Sequence, residues 1–110
     1  MGWFSKFLSR KQPIRGEDLA KPFVKKAHDA LRKEELNKAI AYLDRGLELV
    51  PGDLNLHLQK AQIYQYGLND FSKALEGYRY ILLELDSRPD SEMEAKCRNG
   101  MADMMRSPRD

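Results

Sequence analysis

The sequence repeats itself at a period of 34 to 35 residues, which restricts the chain to architectures built by stacking one supersecondary unit on the next. Phe23, Ala27, Ala30, Leu36, Ala39, Ile40, Leu43 and Leu47 align with His57, Ala61, Tyr64, Phe71, Ala74, Leu75, Tyr78 and Leu82. The offset is 34 in the first half of the unit and 35 in the second, so one residue has been inserted near Gly67. The alternation of small and bulky positions suits helix pairs. Small residues let two helices approach closely, and large ones fill the space between neighbouring pairs.

Local signals divide the chain accordingly. Gln12-Pro13 and Arg15-Gly16 are poor places to continue a helix and close an N-terminal arm, residues 1–16. A first helix is predicted over 18–33, with acids at its start and Arg32 and Lys33 at its end, and with Pro22 tolerated in its first turn. Leu36, Ala39, Ile40, Leu43, Leu47 and Val50 recur at three- and four-residue spacing and predict a second helix over 36–50, stopped by Pro51-Gly52. Asp53 can cap a third helix over 54–66. Gly67, Asn69 and Asp70 form a turn before a fourth over 71–85, which carries Phe71, Ala74, Leu75, Tyr78, Ile81, Leu82 and Leu85. A fifth, over 91–105, places Met93, Cys97, Met101, Met104 and Met105 at helical spacing and reads as a terminal cap over the fourth. Residues 106–110 are expected to form a disordered tail.

The two units resemble the tetratricopeptide repeat. The first, about 20–53, supplies Phe23, Ala27, Ala30, Ala39, Leu43, Gly46 and Pro51; the second, about 54–89, supplies Ala61, Tyr64, Ala74 and Tyr78. Lys26 and Lys60 stand where that family usually has leucine, His57 replaces the first aromatic, and Pro89 comes about three residues late. The resemblance implies an all-α fold, a short α-solenoid of two helix pairs plus a capping helix, spanning residues 17–105.

It also implies a concave groove lined by the first helix of each pair. Lys21, Val24, His28, Leu31 and Arg32 would face it from the first unit, and Asn55, Leu58, Gln59, Gln62, Gln65 and Tyr66 from the second. That mixture of apolar and uncharged polar groups, cationic toward one end, suits a peptide better than a nucleic acid, which calls for a denser Lys/Arg stripe. Some members of the family grip paired carboxylates with a lysine and asparagine clamp. Here Val24 and His28 take those positions in the first unit, with Leu58 and Gln62 in the second, so the clamp is not expected.

Composition narrows the functional classes. At 110 residues with 42% hydrophobic content, the chain can bury one modest core. Its net charge is +2, yet Lys6, Arg10, Lys11 and Arg15 contribute +4 before the first acid at Glu17, which leaves −2 for everything after. The lone Cys97 excludes an internal disulfide and fits a reducing, cytoplasmic setting, where it is expected to act as a small buried hydrophobe. The N-terminus lacks the apolar run and cleavage site of a secretory signal, and no segment approaches the roughly 20 apolar residues that span a bilayer. The ingredients of catalysis are also missing. His28 and His57 lie 29 residues apart, with no Gly-rich phosphate loop, zinc spacing or serine elbow beside them. His57 reads as a partly buried packing residue, and neither an enzymatic role nor a cofactor or metal is expected.

The arm speaks to location. Trp3, Phe4, Phe7 and Leu8 gather on one side of a short helix, flanked by Lys6, Arg10 and Lys11 with no acid opposing them. That composition fits an interfacial anchor on anionic lipid, a peptide that plugs an apolar groove of a partner protein, or an unstructured leader. The combined expectation is a noncatalytic protein-protein interaction adaptor, cytoplasmic and held at a membrane face or in a larger complex by its arm. The alternatives are a structural subunit of a large assembly and, less favoured, a nucleic-acid regulator using Lys21, Lys25, Lys26, Arg32 and Lys33.

Overall fold

The computed structural model of the chain describes residues 15–106, and among these every regular element is helical. In order they are α1 (Gly16–Arg32), α2 (Leu36–Leu49), α3 (Leu54–Gln62), a π-helical turn that continues α3 (Ile63–Gly67), α4 (Phe71–Leu85) and α5 (Ser91–Arg106). The expected arm and C-terminal tail fall outside the described residues, apart from Arg15, Gly16 and Arg106. Gly16 and Arg106 belong to helices, which corrects both boundaries.

The early start of α1 has a local cause. The carbonyl of Arg15 accepts the amides of Asp18 and Leu19, so the helix begins at the glycine read from sequence as a breaker. Gly16 lies against the end of α2, where a Cβ would stand 2.5 Å from the Leu49 carbonyl oxygen. Pro22 therefore sits in the second turn, not the first, and cannot return a hydrogen bond to the carbonyl of Asp18. Downstream, Asp53 caps α3 by accepting the amides of Asn55 and Leu56, Asp70 caps α4 through Lys73, and Asp90 accepts the amide of Met93 at the start of α5.

Consecutive helices pack on one another. α1 lies on α2, α3 lies between α2 and α4, and α5 covers α4. The small positions of the repeat sit at the closest approaches: Ala27 and Ala39 in the first pair and Ala61 and Ala74 in the second are all at most 1% exposed. One core cluster joins Ala27, Ala30, Ala39, Ile40 and Leu43 to Leu56 and Ile63 of α3; the other joins Leu58 and Ala61 to Tyr78, Ile81, Leu85, Met93 and Cys97. Helix α3 thus feeds both cores from opposite faces. On α4, Phe71, Leu75 and Leu82 are half-buried and Leu83 is exposed, so the face covered by α5 is narrower than the run of apolar residues suggested.

Both pairs turn through a left-handed residue at the equivalent position, Glu34 (φ 59°) and Asn69 (φ 53°). After Glu34, the amide of Glu35 reaches back five residues to the carbonyl of Ala30; after Asn69, the amide of Asp70 reaches back six, to Tyr64. The extra residue between these anchors is absorbed by the π turn, where Leu68 donates to the carbonyl of Ile63. The insertion inferred near Gly67 is therefore a widened helical turn rather than a longer loop.

Candidate functional site

The first helices of the two pairs, α1 and α3, line a continuous surface made of two hollows. The larger, about 840 Å³, is bounded by Lys21, Val24, Lys25 and His28 of α1, by Asn55, Leu56 and Gln59 of α3, and by Val50, Asp53 and Arg88 at its rim. The second, about 480 Å³, lies between Leu31 of α1, Leu36 of α2, and Gln59, Gln62, Ile63 and Tyr66 of α3 and its π turn. Gln59 belongs to both hollows and bonds Nε2 of His28 at 2.9 Å, so this pair forms a polar bridge at their junction.

Eight of the eleven residues expected in the groove meet here: Lys21, Val24, His28, Leu31, Asn55, Gln59, Gln62 and Tyr66. Three do not. Leu58 is buried on the opposite face of α3, packed with Tyr78 and Ile81 in the second core. Arg32 is exposed and paired with Asp29, lining neither hollow. Gln65, expected on the same polar row, is also withdrawn: it is buried, donates from Nε2 to the Gly100 carbonyl at 2.8 Å and accepts the Tyr78 hydroxyl at 2.6 Å. The π turn explains the change, since it breaks the spacing that would have kept Gln65 in line with Gln59 and Gln62.

Sequence reasoning missed Lys25, Leu56 and Arg88. Leu56 had a readable signal, because it precedes Gln59 by three residues and so shares its helical face. Arg88 had none. It arrives from the α4–α5 connection, donates to the Gly52 carbonyl at 3.1 Å and pairs with Glu84.

The electrostatics differ along the groove. Lys21, Lys25 and Arg88 surround the larger hollow, against Glu17 and Asp53. The Asp53 carboxylate is engaged in capping α3, and Lys21 pairs with Asp18 at 3.5 Å. Lys25 meets no carboxylate within ion-pair distance among the described residues. Among the described residues, none that lines the second hollow is charged. At its far edge the Tyr66 hydroxyl donates to Asp103 of α5 at 2.7 Å. That bond and the neighbouring Arg106 hold the Asp103 carboxyl below the usual carboxylate range, and the bond to Asp103 raises the phenol of Tyr66.

Two other chemistry-bearing residues, His57 and Cys97, lie outside both hollows. His57 is half-buried, donates from Nε2 to the Pro51 carbonyl at 3.0 Å, and packs its ring 4.5 Å from that of Tyr80. Cys97 is buried beneath α4, and burial pushes its thiol up to about 11. Of the five cations considered for nucleic acid, Lys21 and Arg32 are paired with acids and Lys26 lies over the Tyr42 ring. No group of three or more His, Cys, Asp or Glu among the described residues is arranged to hold a metal ion, and no helix among them is long and apolar enough to cross a membrane. No protein-family model matches the chain, and no curated protein or solved structure matches it either.

Proposed function

We propose that this chain is a noncatalytic protein-interaction module of tetratricopeptide type, a two-pair solenoid closed by α5, which binds a peptide segment of a partner along the α1/α3 surface. The observation that carries this reading is the continuity of that surface: two hollows, one cation-rimmed and one uncharged, joined at the His28–Gln59 bridge. The matched left-handed turns at Glu34 and Asn69 and the buried alanines at equivalent places support the family resemblance. The arm that precedes α1 serves in this reading as a tether to an anionic membrane or to a larger complex, on the strength of its clustered aromatic and basic residues.

Site-specific photocrosslinking in cells tests the proposal. A photoreactive residue at Gln59 should yield discrete protein adducts, and the same residue at Glu76, which lines neither hollow, should not. Equal labelling from both positions, or none from Gln59, would remove the groove as the binding surface.

A further inference from the structure

The α4/α5 edge of the stack carries a charge pattern that is its own complement. A hollow of about 390 Å³ between these helices is lined by Leu82, Leu83 and Leu85, edged by Arg79 and Asp86 from the α4 side and by Glu94 and Arg98 from α5. It shares no residue with the two hollows of α1 and α3. Leu83 is 70% exposed, more than any other leucine among the described residues. Glu94 and Arg98 pair with each other at 3.5 Å. Arg79 and Asp86 are both exposed, and among the described residues neither meets an oppositely charged side chain within ion-pair distance.

Their positions on the helix make this pair informative. Arg79 and Asp86 are seven residues apart, two helical turns, so they fall on one stripe about 10 Å apart along the axis. Asp86 keeps helical dihedrals (φ −61°, ψ −37°), so the spacing holds through it. The midpoint of the two lies between Leu82 and Leu83. A two-fold axis through that midpoint, perpendicular to α4, lays a second α4 antiparallel on the first. Arg79 then stands opposite Asp86 of the other copy and Leu82 opposite its Leu83, and the symmetry repeats each contact. Four charges that are unpaired in the separate chains become two ion pairs, flanking leucines removed from water. The hollow has as many acids as arginines, so it favours neither a polyanion nor a polycation. What it matches is its own pattern reversed. Glu76, the crosslinking control, lies a turn outside this overlap.

We infer that two copies of this chain associate through the C-terminal half of α4, antiparallel about a two-fold axis between Leu82 and Leu83, with Arg79 of each copy paired to Asp86 of the other. This interface is independent of the peptide-binding reading and stands or falls without it.

Sedimentation equilibrium of the full chain over a concentration series tests it. The parent should dimerise, and Leu83→Asp should weaken the association about tenfold or more. Arg79→Asp should do the same, because the symmetry makes two repulsive contacts from one substitution, and so should Asp86→Arg. All three side chains are exposed, so the variants should melt with the parent. Mixing is the decisive arm. The Arg79→Asp chain has acids at both positions and the Asp86→Arg chain has arginines at both, so together they should form a mixed dimer within about threefold of the parent's affinity. A parent that stays monomeric up to about 1 mM overturns the inference and leaves this face to a different partner or to none. Dimers that ignore the charge reversals, or reversed chains that do not associate when mixed, overturn it as well.

Discussion

Two residues near the capping helix show how tightly single positions are specified. At Gly100, a Cβ would stand 2.6 Å from the ring and hydroxyl of Tyr78, a fully buried side chain that cannot retreat. Gly100→Ala should therefore cost about 1–3 kcal/mol, read as a lowered Tm. Tyr78→Phe should cost a similar 1–3 kcal/mol, because it strips the buried Gln65 carbonyl of its donor without opening a route for water. Glu34 works in the other direction. A glutamate at φ 59° holds a conformation that disfavours L residues, and no buried contact depends on its exposed side chain, so Glu34→Gly should stabilise the chain by about 1 kcal/mol in denaturant melts. Asp103 provides a titration. Its carboxyl is depressed by the Tyr66 hydroxyl and Arg106, so what ionisation contributes is present above the unfolded carboxylate pKa and lost as pH falls through the lower folded value. Tyr66→Phe should raise the Asp103 pKa toward the ordinary range, as followed by NMR titration.

At the scale of elements, the repeat identifies which helix faces touch. Ala39 and Ala74 are fully buried at equivalent places in the two pairs, so Ala39→Leu or Ala74→Leu should overpack the seam and cost about 1–3 kcal/mol. Unchanged stability at both positions would mean that the two pairs are not built alike. The pairs do differ in one respect that the alignment contains. The first has Ala30 on its first helix and Tyr42 on its second; the second has Tyr64 on its first and Gly77 on its second, so an aromatic has changed helices. A lysine covers the ring in each case, Lys26 over Tyr42 at 5.9 Å and Lys73 over Tyr64 at 5.4 Å. Without a side chain at Gly77, α4 comes so close to α3 that an added Cβ would lie 3.0 Å from that of Ala61.

For the whole molecule, α5 closes the second pair: it buries Met93, Cys97 and Gly100 against α4 and is bonded to the π turn through Gln65. The arm is a separate question of attachment. Co-sedimentation with anionic liposomes should retain the full chain and lose a Trp3→Ala, Phe4→Ala, Phe7→Ala variant; equal sedimentation of the two would assign the arm to protein docking instead.

The sequence by itself determined the helices, their order and the positions at which they meet, because periodicity, capping residues and turn residues act within a few residues of one another. It located most of the groove for the same reason: Val24, His28, Leu31, Gln59 and Gln62 follow from the spacing of a helix face. It even revealed the insertion near Gly67. Only the tertiary structure decided how that insertion would be accommodated. A π turn preserved the α3–α4 connection and turned Gln65 from an expected groove residue into a buried link between Tyr78 and Gly100. It likewise brought Arg88 to the groove rim from a connection 36 residues beyond Gly52, and sent Leu58 into the second core, because α3 must satisfy a neighbour on each side. Those outcomes depend on distant parts of the chain competing for the same space, and local spacing carries no record of that competition.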